Sequence, residues 1–483
     1  MQENHPEHRR PHLRQLQQME SVLVRATLAE PSWLAPHDDA ALRWALSLAR
    51  VSAVKVLASE GSPDVVDIDH ASDGYRAQLH ALLHEVVDDK RVLSRDGVRA
   101  HIGAVRRLAA AERLSLLSLF GNRMPAKSLD RSTRRRPLAL ALGGGGGTGY
   151  VFVGAMATLD EAGLVPSLIA GTSMGAIVGA FRCKQREFSL AGIRSLLARL
   201  SWRKVFKLFE TGSRFGLPAT LKLYLREVIG QEFEKSEGGF LRMDELPIPL
   251  RVTIAGLVRG PQEPEVLGRY AHLLDEAVTD VRALRSRAGA IARALQEISR
   301  QPVRPIYVGG DALTKEFDVL DAIGFSSAVP GIIHYDILRD DPRMVELCTE
   351  LCRREGVFRL VDGGLVDNLP ACEAWRAVQA GACGERDPFV LALDAFAPQL
   401  TTRHLLFLPL MRIAAENTRE GRQVAHATIS FKNVLSPLAV VPSPAEFLRA
   451  VANGRKETEP LVPFIRKMVG PIPDPPGIIS ELA

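Results

Sequence analysis

Cysteine and aromatic residues are both scarce in this chain. Its 483 residues include five cysteines, an odd number with no C-x-x-C pair, which argues against a disulfide framework and predicts a reducing compartment. Cys348 and Cys352 stand at helical spacing, but no suitably spaced histidine joins them, so the pattern predicts neither a metal site nor another cofactor. Aromatic residues amount to 6% and the basic residues are dispersed, so we expect no nucleic-acid binding.

A strong charge imbalance and a secretory signal are also missing. The formal net charge is +5 and the sequence pI is about 9.0, which is compatible with an anionic membrane surface but does not require one. Residues 1–18 are polar and contain no apolar h-region. These features predict a cytoplasmic protein.

Charged side chains are absent from two long segments, residues 137–159 and 162–181. Both would pass a hydropathy test for a membrane span, but a run of glycines splits the first near its middle. We interpret each segment as a buried parallel strand followed by a buried helix. The hydrophobic content of 46% likewise predicts a globular protein with a sizeable core.

Two glycine-punctuated turns lie in these segments, each between an apolar run and helix-forming residues. The second, Gly171-Thr172-Ser173-Met174-Gly175, matches the G-x-S-x-G nucleophile elbow. A serine on such a turn has strained backbone angles, and glycines flank it because side chains would clash with the strand and the helix. The pattern predicts Ser173 as a nucleophile, although G-x-S-x-G also occurs by chance in plain βα turns.

The first turn, residues 143–149, exposes several backbone N–H groups at the start of a helix, a geometry that binds an oxyanion or a phosphate. We expect Gly144, Gly145 and Gly146 to supply these groups. The alternative is a dinucleotide-binding fingerprint, since Gly144, Gly146 and Gly149 fit G-x-G-x-x-G. That fingerprint needs an acidic residue at the end of the next strand, and none is present, so acyl transfer fits better than hydride transfer.

A third pattern, Asp362-Gly363-Gly364, ends an apolar run far downstream. Alone it would be a plain Asp-Gly turn. Together, the three patterns resemble the patatin-like phospholipase family, which combines a glycine-rich oxyanion loop with G-x-S-x-G and D-G-[GA] motifs. The resemblance covers roughly residues 137–400 and includes the segment Ser326–Gly331 and the apolar strand Val390–Asp394.

This resemblance implies an α/β fold, a patatin-like three-layer sandwich with a mainly parallel central sheet. It also implies a serine acyl hydrolase that cleaves carboxylic esters of lipids, phospholipid or acylglycerol, through a dyad of Ser173 and Asp362. An exposed aspartate would be a poor base, so Asp362 needs a desolvated setting that raises its pKa. The implied supporting glycines of the motifs are Gly149, Gly171, Gly175, Gly363 and Gly364.

Several alternatives stay open. A Ser-His-Asp triad of the α/β-hydrolase kind would use Ser173, then Asp362 or Asp394, then His404 or His426. A lipid acyltransferase, or a catalytically weak protein that binds lipid or a partner, would also fit. Family members commonly carry Arg or Lys where this chain has Thr148, a departure that weakens the phospholipid assignment more than the ester-hydrolase assignment.

Outside the motifs, residues 1–136 are predicted to form a helical N-terminal extension, partly because Leu42, Leu46, Ala49 and Ala53 recur at helical spacing. A basic linker ends it with four arginines, which would be attracted to an anionic bilayer. They are Arg131, Arg134, Arg135 and Arg136.

We assign residues 137–400 to the catalytic domain, with a helical insertion near 262–304, and 401–483 to a mixed C-terminal extension that is extended from Pro460. The apolar segment 202–225 either lines an acyl pocket, acts as a lid or forms ordinary core helices. The expected partners are a lipid ester and, transiently, a membrane surface. We therefore expect a cytoplasmic protein that can bind peripherally to a membrane. The sequence does not indicate any protein partner.

Overall fold

A computed structural model of the chain describes residues 11–56, 64–84, 86, 93–208, 213–261, 263–279, 289, 293–294, 296–298, 300–396 and 408–479. The chain divides into two compact units. The first takes in residues 1–137, 378–389 and 461–483, and the second takes in residues 138–377 and 390–460. The three-part division expected from the sequence stays a prediction, and the units divide the chain differently after residue 377.

The α-helices are α1 (Pro11–Ala29), α2 (Pro36–Arg50), α3 (Asp73–His84), α4 (Arg95–Phe120), α5 (Ala126–Arg134), α6 (Val151–Glu161), α7 (Met174–Cys183), α8 (Leu190–Arg199), α9 (Trp202–Val205), α10 (Leu225–Ile229), α11 (Glu263–Thr279), α12 (Val319–Ser326), α13 (Pro342–Glu355), α14 (Ala371–Gln379), α15 (Leu408–Val424), α16 (Pro444–Thr458) and α17 (Val462–Val469). The strands are β1 (Ala53–Val56), β2 (Asp64–Asp67), β3 (Leu138–Leu142), β4 (Leu168–Thr172), β5 (Phe206–Leu208), β6 (Ala219–Leu223), β7 (Leu250–Val258), β8 (Val303–Val308), β9 (Gly331–His334), β10 (Val357–Asp362), β11 (Phe389–Asp394) and β12 (Ala427–Ser430). Short 3-10 helices occupy His70–Ser72, Gly146–Tyr150, Gly230–Glu232, Met243–Glu245, Thr314–Glu316, Gly363–Leu365 and Glu459–Leu461.

The first unit is built from the N-terminal helices, whose presence confirms that part of the predicted fold. Helix α2 begins at Pro36, a residue suited to a first helical turn, and buries Trp44 completely. Ala53, which continues the helical repeat in the sequence, instead starts β1, because α2 ends at Arg50; β1 and β2 then pair antiparallel. The expectation of an extended tail from Pro460 is wrong for α17, where Phe464 and Ile465 are buried.

The basic linker of the first unit is largely engaged in contacts. Arg131 donates to the Lys55 carbonyl at 2.6 Å, and Arg134 forms an ion pair with Asp474. Arg136 is buried and donates to the Pro388 carbonyl at 2.9 Å. These three contacts lie within the first unit and stabilise it, and the attraction of the linker to an anionic bilayer stays a prediction.

The second unit contains a seven-stranded sheet of order β10-β7-β4-β3-β11-β12, with β8 paired to β7. The pairs β3–β4, β4–β7 and β11–β12 are parallel, whereas β8 and β10 pair antiparallel with β7. Strands β3, β4 and β11 are buried along their whole length, which explains their continuous apolar sequences. The predicted α/β fold with a mainly parallel central sheet is confirmed.

The two uncharged segments are strand-turn-helix units of this sheet, β3 to α6 and β4 to α7. No helix in the described ranges is both long and apolar enough to cross a membrane. A smaller sheet of order β5-β6-β9 follows α9, so the apolar segment 202–225 contains more strand than helix where it is described. Helix α11 opens the predicted insertion, and most of residues 280–299 lie outside the described residues.

Strands β4 and β10 meet end to end along one edge of β7. β8 pairs with Val252–Leu257 of β7, overlapping the parts of β7 that pair with β4 and with β10, so β4 and β10 must share the opposite edge. Thr172, the last residue of β4, pairs with Thr253, and Asp362, the last residue of β10, pairs with Ile254. Two carboxyl ends of strands, far apart in sequence, thus meet at neighbouring residues of β7.

Candidate active site

Ser173 lies in the turn between β4 and α7 with φ 53° and ψ −122°, the one non-glycine residue in the described chain with a positive φ. The flanking glycines make this turn sterically feasible. A Cβ on Gly175 would lie 2.3 Å from the Leu142 carbonyl oxygen, and one on Gly171 would lie 2.7 Å from the Ala176 nitrogen. The turn therefore has the strained geometry of a nucleophile elbow.

Ser326 holds this turn to the neighbouring strand. The Ser173 amide donates to Ser326 Oγ at 2.8 Å, and Ser326 Oγ donates to the Thr253 carbonyl at 2.7 Å. Sequence reasoning noted the segment around Ser326 but assigned it no role, because a buried serine hydroxyl has no distinctive local signature. Its position makes Ser326 a positioning residue for the turn.

The backbone amides of the glycine loop after β3 differ in their hydrogen bonding. The Gly144 amide donates to the Asn368 carbonyl at 3.0 Å, so the structure gives it a different partner from the oxyanion we predicted. Gly145 and Gly146 have φ of 150° and 59° and border the same cavity as Ser173, and their amides make no hydrogen bond within the described residues. These two amides are free to bind an anion.

Thr148 stabilises the glycine loop from within. Its hydroxyl donates to the Gly145 carbonyl at 2.9 Å, and its side chain is buried. Gly149 is required because a Cβ there would lie 2.6 Å from Met174 Cγ. The loop is therefore packed against the residue that follows Ser173 without a cation at position 148.

Asp362 ends β10 beside this turn and is buried. Its Oδ1 accepts a hydrogen bond from the Gly364 amide at 2.8 Å, while its Oδ2 is buried and makes no hydrogen bond with the described residues. Burial raises the pKa of Asp362 to about 6, although the Gly364 amide and the nearby Ser173 hydroxyl act in the opposite direction. Gly363 allows this approach, because a Cβ there would lie 2.2 Å from the Thr253 carbonyl oxygen.

Asp367 and Asn368 were not singled out in the sequence, yet both contact the site. The Thr172 hydroxyl donates to the Asp367 carbonyl at 2.8 Å, and the Asp367 side chain accepts from the Tyr307 hydroxyl at 3.0 Å. Burial raises the pKa of Asp367 to about 6. Asn368 lines the cavity and accepts from Gly144, so the turn after Asp362 also holds the glycine loop.

A largely apolar cavity with about 1050 Å³ of empty space, its mouth included, contains Ser173 and Asp362. Trp202, Phe206, Leu221 and Leu223 supply part of its wall, so the segment 202–225 lines a pocket as one of our interpretations proposed. Phe209 of that segment lies outside the described residues. The cavity suits a hydrocarbon group placed next to the serine.

His426, the histidine of the alternative triad that the structure describes, does not line this cavity. His426 Nδ1 accepts from the Val390 amide at 3.0 Å, near the start of β11. The Gly143 amide donates to the Leu393 carbonyl, so β3 and β11 end together, and Val390 lies three residues, about 10 Å, from that end. Asp394 pairs with Arg422, and His404 is outside the described residues.

Cys348 and Cys352 are buried thiols, and burial raises the pKa of both. In the part of the chain that the structure describes, no group of three or more His, Cys, Asp or Glu side chains is arranged to hold a metal ion.

Comparison with protein families adds one finding. Residues 140–375 match the family model described as patatin-like phospholipase. The matched range contains the glycine loop, Ser173 and Asp362. A comparison with curated proteins produced no match.

Proposed function

Residues 140–375 place the chain in the patatin-like phospholipase family, and from this premise we propose that it hydrolyses lipid esters with Ser173 as nucleophile and Asp362 as base. The observation that carries the proposal is the end-to-end meeting of β4 and β10 on β7, which brings these two residues to one cavity. The family supports lipid acyl hydrolysis in general, and the dyad is our specific assignment.

In the first step, Ser173 Oγ attacks the ester carbonyl carbon while Asp362 takes the hydroxyl proton. The unpartnered Oδ2 is available for that proton, and a pKa of about 6 suits a base that works near neutral pH. The tetrahedral intermediate then collapses, the carbon–oxygen bond to the alcohol breaks, and the alcohol leaves with the proton from Asp362. The acyl group remains on Ser173.

In the second step, a water molecule attacks the acyl-enzyme carbonyl and gives a proton to Asp362. Collapse of this intermediate breaks the bond to Ser173 Oγ, which recovers the proton, and the carboxylic acid is released. Positive φ at Ser173 keeps Oγ at the cavity surface in both steps.

The amides of Gly145 and Gly146 are the proposed oxyanion donors. Each such donor contributes about 2.7–4 kcal/mol to transition-state stabilisation in hydrolases. Gly144 instead anchors the loop through the Asn368 carbonyl, and Thr148 orients the Gly145 peptide. The donors therefore act without a side-chain cation at position 148, and either a phospholipid or an acylglycerol remains a suitable substrate class.

Membrane contact is proposed at the cavity mouth rather than at the basic linker. Trp202 and Leu438 line the cavity, yet 44% and 50% of their surfaces are exposed. Arg203, Lys204 and Lys207 are exposed beside Trp202. Tryptophan favours the membrane interface, and each basic residue near an anionic surface adds about 1 kcal/mol of attraction.

The catalytic proposal is tested by kinetics on p-nitrophenyl butyrate and a fluorogenic phosphatidylcholine. We expect kcat to fall at least about a thousandfold in Ser173→Ala and Asp362→Asn. A double variant, His404→Ala with His426→Ala, should keep its activity. If the folded histidine variant loses activity instead, the triad replaces the dyad.

Product analysis separates the remaining alternatives. Adding a competing alcohol reveals an acyltransferase if the acyl group passes to the alcohol in preference to water. If the folded parent cleaves neither ester, the hydrolase proposal fails and a lipid- or partner-binding role gains support.

Membrane contact is tested by sedimentation with phosphatidylcholine vesicles that contain or lack phosphatidylglycerol. The triple variant Arg203→Glu, Lys204→Glu, Lys207→Glu should lose binding to the anionic vesicles. The control changes the same charge at exposed sites that do not line the cavity, Arg300→Glu, Lys315→Glu and Arg353→Glu. Equal loss in both variants would show that net charge, not the cavity mouth, determines binding.

A further inference from the structure

A second cavity lies in the same unit as the catalytic cavity, among α7, α8 and α10. It has about 720 Å³ of empty space, its opening to solvent included, and its described lining is almost wholly apolar. Ligand pockets are concave and lined mostly by apolar side chains, so a recess with this lining is a candidate site for an apolar group.

The two cavities share a wall. Met174, Ile177, Leu223 and Val440 border both of them. Met174 directly follows the nucleophile, so the shared wall begins next to Ser173. Methionine is unbranched and adapts its shape readily, which suits a partition that a chain must pass.

The apolar lining of the second cavity favours a hydrocarbon ligand. Among the described residues that line it, Tyr150 alone has a polar side-chain group, and its hydroxyl donates to the Val440 carbonyl at 2.6 Å. That hydroxyl therefore has a partner and does not require one from a ligand. A head group or a glycerol would lose its hydrogen bonds to water there without replacement, whereas methylene groups lose nothing.

We propose that the second cavity binds the distal part of a long acyl chain whose carbonyl is at Ser173. This rests on the proposed hydrolase function and adds a substrate preference, for esters of long-chain fatty acids over short ones. Burial of one methylene is worth about 0.8 kcal/mol, so each methylene that enters would raise kcat/KM about fourfold.

The test fills the second cavity from the side away from the serine. Leu196 on α8 and Val228 on α10 line the second cavity and not the first. In Leu196→Trp and Val228→Trp, the ratio of kcat/KM for p-nitrophenyl palmitate to that for p-nitrophenyl butyrate should fall at least tenfold, with butyrate hydrolysis retained. Leu338→Trp is the matched control, because Leu338 is 44% exposed and borders neither cavity.

Two results with these esters would contradict the proposal. An unchanged ratio in both folded tryptophan variants would overturn the proposal, and so would an equal fall on both esters. A long-chain alkyl butyrate tests the opposite orientation, and a larger effect on this ester than on the palmitate would overturn the acyl assignment.

Binding separates failure of this inference from failure of the proposed function. Parinaric acid fluorescence measures fatty-acid binding in Ser173→Ala, which needs no hydrolysis. Weaker binding in Ser173→Ala/Leu196→Trp than in Ser173→Ala supports the cavity assignment even if the parent cleaves no ester. Equal binding would overturn it.

Discussion

Asp362 ends β10 and Asp394 ends β11, and the local structure of the two is alike. In each case Oδ1 accepts a hydrogen bond from the amide two residues later, from Gly364 at 2.8 Å and from Phe396 at 3.0 Å. Both side chains are buried. Their Oδ2 atoms differ, because Arg422 pairs with that of Asp394, while that of Asp362 has no hydrogen bond in the described chain.

This difference separates a structural carboxylate from a candidate base. The Arg422 guanidinium occupies Oδ2 of Asp394, so that oxygen is not free to take a proton from a hydroxyl. Burial without a cation raises the pKa of Asp362 to about 6, so this side chain can accept a proton near neutral pH. The absence of a cationic partner in the described chain, and not burial alone, therefore makes Asp362 the candidate base.

The largest stability effect is expected from removing the partner of Asp394. Arg422→Met should lower the free energy of unfolding by about 3 kcal/mol, because an uncompensated charge would remain buried. Urea unfolding at pH 8 measures this. Arg449→Met on exposed Arg449 is the control, and a loss no larger than in that control would mean that Asp394 does not depend on Arg422.

Neutralising the other aspartate, Asp362, should instead raise the free energy of unfolding. The pKa of Asp362 is about 6 when folded and about 3.9 when unfolded, so the folded state binds the proton more tightly and stability falls as pH rises between these values. Asp362→Asn removes this cost and should stabilise the protein by about 2–3 kcal/mol at pH 8, but not at pH 4. Urea unfolding of Asp362→Asn and Asp394→Asn at both pH values measures the free energy of unfolding. If both variants are destabilised, the inferred difference between the two aspartates is wrong.

The pH dependence of activity tests whether Asp362 must be ionised to act as the base. Because the base must be ionised, kcat/KM on p-nitrophenyl butyrate should be about tenfold lower at pH 5 than at pH 8, with an inflection near pH 6. Burial also raises the pKa of Asp367 to about 6, so Asp367→Asn is the necessary control. If the inflection disappears in Asp367→Asn, the titrating group is Asp367 and not Asp362.

The smallest effect concerns the serine that holds the nucleophile turn beside Asp362. Ser326→Ala should lower the free energy of unfolding by about 1–2 kcal/mol and reduce kcat, because the Ser173 amide and the Thr253 carbonyl lose a shared partner. Ser132→Ala is the control, since Ser132 Oγ is buried, makes no hydrogen bond with described residues and does not line the cavity. Thermal unfolding and kinetics of both variants measure the difference, and equal behaviour would deny Ser326 its positioning role.

Residues close together in the chain account for part of the geometry around Ser173. A Cβ on Gly171 would lie 2.7 Å from the Ala176 nitrogen, a steric requirement between near neighbours that the G-x-S-x-G pattern predicts. The uncharged segments also predicted buried parallel strands, because strands covered on both faces need apolar side chains throughout.

Contacts between residues far apart in the chain set how these pieces meet. Whether Gly144 or Gly146 keeps a free amide depends on the Asn368 carbonyl, and which aspartate lacks a cation depends on Arg422. These partners lie far away in the chain, and pairing at such separation is set by strand order and register rather than by local pattern. Burial of Asp362 follows from the meeting of β4 and β10 on β7, which no spacing in the sequence encodes.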